Sequence, residues 1–192
     1  MLDEERRRRG TLKKVVIHTD GACQGNPGPG GWAAILECEG QSRELSGGVP
    51  VTTNNRMELQ AAIEALNGLR EPCEIEFYTD SVYVKNGVSK WLATWKRNGW
   101  RTKAKQAVKN EDLWRAVDSS AAKHRIDWRW LKGHAGHVGN ERCDQLAVEE
   151  IAKIRRSFKP EQLKAFLAEF SAKDSGKQAS DELFDLHTRR AG

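Results

Sequence analysis

Long apolar runs are missing from this chain. No stretch of its 192 residues is uniformly apolar over a membrane-spanning length, and no apolar segment lies near the N-terminus. Transmembrane helices and a secretory leader are therefore not expected. Cysteine is sparse. Cys23, Cys38, Cys73 and Cys143 form no CxxC pair and no zinc-ligand spacing, which excludes a structural zinc site and argues for free thiols in a cytoplasmic protein. Length is short for two full domains. One domain of ordinary size with tails is expected: a flexible basic tail over 1–13, a main domain over 14–156 and a partly helical, partly mobile extension over 157–192.

Acidic residues are absent from one long segment. Between Lys85 and Asn110 there is no Asp or Glu, while Lys85, Lys90, Lys96, Arg97, Arg101, Lys103, Lys105 and Lys109 supply cations and Trp91, Trp95 and Trp100 supply aromatics. The overall net charge of +5 is modest, so the concentration of charge carries the information. Cations interleaved with indoles suit a polyanion that also presents sugar and base faces. Some of these indoles are also expected to serve the core. Arg6 to Arg9 form a second basic run, read as a solvated tail with weak affinity for nucleic acid.

The pattern along the chain predicts an α/β fold. Val15–Thr19, Trp32–Glu37 and Ser42–Gly48 read as an antiparallel meander, with a glycine- and proline-rich turn over Gly25–Gly31. Leu59, Ala62, Ile63, Leu66 and Leu69 recur at helical spacing and predict a helix over Asn55–Leu69. Ile75, Phe77 and Thr79 alternate into a fourth strand. Ser81–Gly87, Lys90–Arg97 and Glu111–Lys123 are helical candidates, Ile126–Leu131 a fifth strand, and Asn140–Ile154 a last core helix. This order implies a five-stranded mixed sheet with helices on its faces. Leu163, Phe166, Leu167 and Phe170 predict a further amphipathic helix beginning near Pro160, docked on the domain.

Four carboxylates stand in distinctive surroundings: Asp20 in TDGACQGNPGPGG, Glu58 in TTNNRMEL, Asp80 in YTDSVYV and Asp144 in KGHAGHVGNERCDQLA. Each has a structural role available. Glu58 has capping-box spacing from Asn55, Asp80 is placed to cap a helix starting at Ser81, Asp144 falls early in a helix where the dipole favours an anion, and Asp20 closes a strand. Ligands in open α/β sheets gather at the carboxyl ends of strands, where Asp20 and Asp80 are both expected. If all four meet, they need a hard divalent cation such as Mg²⁺, and carboxylate-held Mg²⁺ is suited to cutting phosphodiesters. His134, bracketed by Gly133, Gly136 and Gly139, is a candidate proton shuttle.

These segments, with AVKNEDLW at Ala107–Trp114, resemble in order and spacing the signatures of bacterial type 1 ribonuclease H, from about Lys14 to Ile154. The resemblance implies the ribonuclease H-like fold and hydrolysis of the RNA strand of RNA–DNA hybrids to 5′-phosphate and 3′-hydroxyl ends. It implies Asp20, Glu58, Asp80 and Asp144 as ligands of two Mg²⁺ ions about 4 Å apart, with Mn²⁺ as a substitute, and His134 as an aid to proton transfer or product release. It also implies that Cys23, Asn26, Asn54, Asn55 and Glu58 sense 2′-hydroxyls along the minor groove. By the same resemblance Thr53 and Asn110 take a DNA phosphate, Trp91 packs on a deoxyribose, and the segment Lys96–Lys109, with Lys96 and Arg97 at its start, forms a basic protrusion. A monomer is expected. Integrases, transposases and junction resolvases share the fold, but would lack the Gly25–Gly31 loop together with the basic tryptophan-rich segment. A non-catalytic hybrid-binding module would lack a carboxylate.

Overall fold

Alternation of apolar and polar residues along five segments builds a single mixed sheet. The computed structural model describes residues 12–132 and 137–173; the basic run Arg6–Arg9 lies outside them. Strands β1 (Lys13–Cys23), β2 (Gly28–Cys38) and β3 (Gln41–Thr52) form an antiparallel meander. Strands β4 (Cys73–Thr79) and β5 (Arg125–Trp130) run parallel to β1, and the spatial order is β3-β2-β1-β4-β5. The helices are α1 (Asn54–Asn67), α2 (Val82–Asn86), α3 (Leu92–Arg97), α4 (Glu111–Ala121) and α5 (Val138–Ser157), with a π-helical turn at Gly87–Trp91 between α2 and α3. A further helix, α6, spans residues 160–173. None of the described helices is long and apolar enough to cross a membrane.

The two faces of β2 show how the layers are made. Ala34 and Leu36 point to one side and pack with Ala62, Ala65 and Leu66 of α1. Ala33 and Ile35 point to the other and pack with Cys143, Leu146 and Ala147 of α5. The period of two along the strand thus buries both faces, as a central strand requires. A third cluster joins Leu59 and Ile63 of α1 to Trp114 and Val117 of α4, and draws in Val84, Trp100 and Val108. It roots the basic segment in the domain. Trp114 is fully buried, and truncating such an indole to alanine typically costs about 3–5 kcal/mol. Of the three tryptophans in the acid-free segment, Trp100 is core, while Trp91 and Trp95 are half-buried with ring centroids 5.5 Å apart.

Several local expectations need correction. Strands β1 and β2 reach further into the glycine-rich loop than their apolar alternation indicates, because backbone pairing continues through Cys23 and Gly30. Asp20 therefore sits within β1, opposite Ala33, rather than closing it. The helix caps also differ. Thr53, not Asn55, is the N-cap of α1, so Glu58 closes no capping box. Ser81 caps α2, its hydroxyl accepting from the Val84 N–H at 3.3 Å, which releases Asp80 from that duty. α5 begins at Val138, so Asp144 lies beyond the first turn where the helix dipole acts.

Candidate active site

Parallel pairing of β1 with β4 sets the site. The two strands are in register from Lys13–Cys73 to Thr19–Thr79. Asp20 and Asp80 are the next residues on each chain, at the carboxyl ends of the parallel pairing. Neighbouring strands lie about 4.8 Å apart, so two carboxylates at this level meet.

Glu58 is brought to them by a glycine. A β-carbon at Gly21 would overlap the backbone of Met57 and Glu58, so only glycine lets the start of α1 lie directly against β1. Single oxygens of Asp20, Glu58 and Asp80 all lie within 4.8 Å of one another. Asp144, on α5, lines the same open cleft of about 500 Å³ together with Cys23, Asn54, Asn55, Val82 and Tyr83. The structure thus brings all four carboxylates to one cleft, three of them as a tight group.

The electrostatics show an uncompensated cluster. Asp20 is 7% exposed. Burial, then the Asp80 charge, with a smaller push from Asp144, raise its carboxyl to about 7 despite the hydrogen bond from the Gly21 N–H; that bond is 2.7 Å long. Glu58 is 6% exposed and is raised well above the usual carboxylate range by burial and by Asp20 and Asp80, against the pull of the Asn54 side chain and the Gly21 N–H. Its Oε2 is buried with no hydrogen-bond partner. Buried, mutually repelling carboxylates with a spare oxygen fit a hard cation with oxygen ligands.

Sequence reasoning missed Asn140. It is 2% exposed, and its Nδ2 donates to Asp80 Oδ2 at 3.1 Å. The Trp130 indole N–H donates to the Asp80 backbone oxygen at 3.1 Å. Asp80 is thus held from β5 and from α5, by residues in the same WLKGHAGHVGNERCDQLA segment that carries Asp144. Tyr83 was also missed. Its hydroxyl accepts from Asn110 Nδ2 at 3.2 Å and from the Trp114 indole at 3.0 Å, and donates to the Lys109 oxygen at 3.2 Å. A tyrosine one turn past Asp80 was the available signal.

The remaining candidates divide. Cys23 Sγ donates to the Gly25 oxygen at the cleft edge, and Asn26 Oδ1 accepts from the Asn54 N–H at 3.1 Å. Thr53, Asn26 and Asn55 line a second, smaller pocket with Lys109. Asn110, in a left-handed backbone conformation, turns its amide to Tyr83 and to Arg56. Trp91 closes the π-helical turn, its ring centroid 6.0 Å from that of Tyr83. Lys96 is paired with Asp118 at 2.8 Å, and Arg97 ends α3 exposed. His134 lies outside the described residues.

A mixed sheet that gathers carboxylates at the ends of its central parallel strands is here the site of a nuclease. The chain belongs to the ribonuclease H family, as a bacterial type 1 member: the RNase H family model matches residues 12–152. Ribonuclease H of Mesorhizobium japonicum is 59% identical over 149 residues, covering 77% of this chain and 84% of the relative. Ribonuclease HI of Brucella melitensis biotype 1 is 59% identical over 136 residues, covering 71% of this chain and 88% of the relative. Among solved structures, a type 1 ribonuclease H with the type 2 active-site motif superposes with a TM-score of 0.67 at 34% identity, covering 74% of each chain. A ribonuclease H1 solved in complex with an RNA/DNA hybrid gives a TM-score of 0.52 at 25% identity, covering 72% of this chain and 97% of the other.

Proposed function

We propose that this protein is a Mg²⁺-dependent endoribonuclease that hydrolyses the RNA strand of RNA–DNA hybrids, leaving 5′-phosphate and 3′-hydroxyl ends. The observation that carries the reading is the tight group of Asp20, Glu58 and Asp80 in an open, amide-lined cleft. The family and a relative solved with an RNA/DNA hybrid support the substrate class.

Asp20, Glu58, Asp80 and Asp144 would hold two Mg²⁺ ions, with Mn²⁺ as a substitute. When bound, such ions supply the Lewis acidity that makes water a nucleophile near neutral pH and that takes up charge on the leaving oxygen. The chain's own residues orient and select. Asn140 and Trp130 fix Asp80, and Gly21 fixes the approach of Glu58. Asn54 and Asn55, with Cys23 and Asn26 nearby, present amides and backbone groups to a minor groove, where 2′-hydroxyls both donate and accept. Thr53 and Asn110 receive a phosphate of the DNA strand, Trp91 packs on a deoxyribose, and Lys96 and Arg97 lie along the duplex. His134, by the family resemblance, aids proton transfer or product release. The protein acts as a monomer in the cytoplasm.

The test is cleavage with Mg²⁺ of a labelled RNA–DNA hybrid beside duplex DNA and duplex RNA of the same sequence. The RNA of the hybrid alone should be cut, and EDTA should stop the reaction. Equal cleavage of duplex DNA, or an intact hybrid, would overturn the reading.

A further inference from the structure

Helix α6 reaches the substrate side of the domain. Its Phe170 and Ser171 wall a pocket of about 280 Å³ whose other sides include Asn26, Thr53, Asn55 and Lys109. The pocket adjoins the carboxylate cleft, since Asn55 lines both. A strand that passes from the cleft along Asn55 into this pocket would meet Phe170.

The pocket's chemistry suits an anion more than it suits an aromatic ring. Lys109 brings a cation, and Asn26 and Asn55 bring amides. Thr53 holds the N-cap position of α1, yet its hydroxyl makes no cap bond. Thr53 Oγ1 is buried and has no hydrogen-bond partner. A buried hydroxyl left unpaired is an uncompensated cost, and a phosphodiester oxygen at this pocket would satisfy it with the assistance of the nearby ammonium. The Phe170 ring offers neither donor nor acceptor.

The hold of α6 on the domain is also partial. Leu163, Phe166 and Phe170 are half-buried, while Leu167, on the same stripe, is 37% exposed. The Phe166 ring packs edge-on against Phe158, with centroids 5.5 Å apart, so part of the stripe is spent within the extension itself.

We infer that α6 is a displaceable cover over a strand-phosphate pocket, so that docking of this helix and binding of the hybrid compete. The inference rests on the hybrid reading above. When a binding-competent state is only partly populated, apparent affinity falls by the competent fraction. Undocking α6 therefore tightens hybrid binding.

Phe170→Ala in the full chain tests this. It should lower the KM for a hybrid roughly fivefold, the factor for a cover that is open about one-fifth of the time. An unchanged or raised KM overturns the inference. A second measurement needs no altered helix. In the Asp20→Asn chain, which should hold a hybrid uncut, trypsin cleavage after Lys164 and Lys173 is followed with and without a short RNA–DNA hybrid. Faster cleavage with the hybrid is the expected result; unchanged or slower cleavage overturns the cover, and this arm decides the question if Phe170→Ala does not fold. An unmodified chain that leaves hybrids intact in Mg²⁺ fails the function reading instead.

Discussion

Asp20 and Asp80 each stand one residue beyond the last parallel rung between their strands, Thr19 opposite Thr79. Their proximity is therefore written into strand register. Neither can withdraw without a slip that would turn every side chain of the strand to the other face. The sheet's core faces, with Ile17 and Phe77 fully buried, hold that register. Packing energy spent on the core keeps two like charges together at its edge.

Asp20→Asn should abolish hybrid cleavage and at the same time stabilise the metal-free protein. The amide keeps the shape and loses the charge. A carboxyl raised from 3.8 to about 7 carries a folding cost, when ionised, on the order of 4 kcal/mol as an upper figure. Thermal melts in EDTA at about pH 8 should show the variant more stable than the parent by a few kcal/mol at most. Near-normal turnover would remove Asp20 from the catalytic set.

The same shift fixes the sign of a pH dependence. The folded chain binds the Asp20 proton more tightly than the unfolded chain, whose aspartates titrate near 3.9. Stability from this group is full below about pH 4, falls as pH rises towards the folded value of about 7, and is level above it. Glu58 is shifted in the same direction. Metal-free protein should therefore melt lower at about pH 8 than at about pH 5, with a flatter profile for Asp20→Asn. Mg²⁺ should raise the melting temperature more at the higher pH, where cation and proton no longer compete. A Mg²⁺ effect independent of pH would mean that these carboxyls do not bind the ion.

The mixed sheet and its strand types were legible because β1, β4 and the meander follow apolar alternation with a period of two. The candidate site was legible as four carboxylates in four segments. Its local supports were not. Thr53 takes the N-cap position of α1 in place of Asn55, without a side-chain cap bond, because that position is decided by where the chain leaves β3, and not by which side chain suits the role. Asn140 reads as one polar residue in a helical segment until α5 is laid across β1, when its amide reaches Asp80. Phe170 reads as part of a docking stripe, and nothing in its spacing tells that it lines a pocket with Asn26 and Lys109. Contacts between distant segments carry this information, and a single chain's periodicity does not.

Gly21→Ala should damage the site through the backbone. The added methyl would meet the main chain of Met57 and Glu58, which cannot rotate away as a side chain would. Strand and helix must part, and overpacking of this kind typically costs about 1–3 kcal/mol. Activity should fall further than stability does, because the shift moves Glu58 from Asp20 and Asp80. Melting temperature and Mg²⁺ affinity measured together check this; lost stability with unchanged Mg²⁺ affinity would show that Glu58 is positioned by something else.

Arg97→Ala should weaken hybrid binding more than Lys96→Ala does. The Lys96 ammonium is already engaged by Asp118 at 2.8 Å, so a phosphate must compete with a carboxylate for it. Arg97 is exposed at the end of α3 and has no ion-pair partner among the described residues. Both side chains would touch phosphates away from the scissile bond, which favours substrate and transition state alike, so KM should rise while kcat is little changed. Losing one phosphate contact should flatten the slope of log affinity against log salt by roughly 0.9 on a duplex like B-form DNA. Titrations of a hybrid at several salt concentrations give both numbers. An unchanged slope for Arg97→Ala would take the end of α3 off the duplex. A larger loss for Lys96→Ala would mean that the Asp118 pair opens when substrate binds.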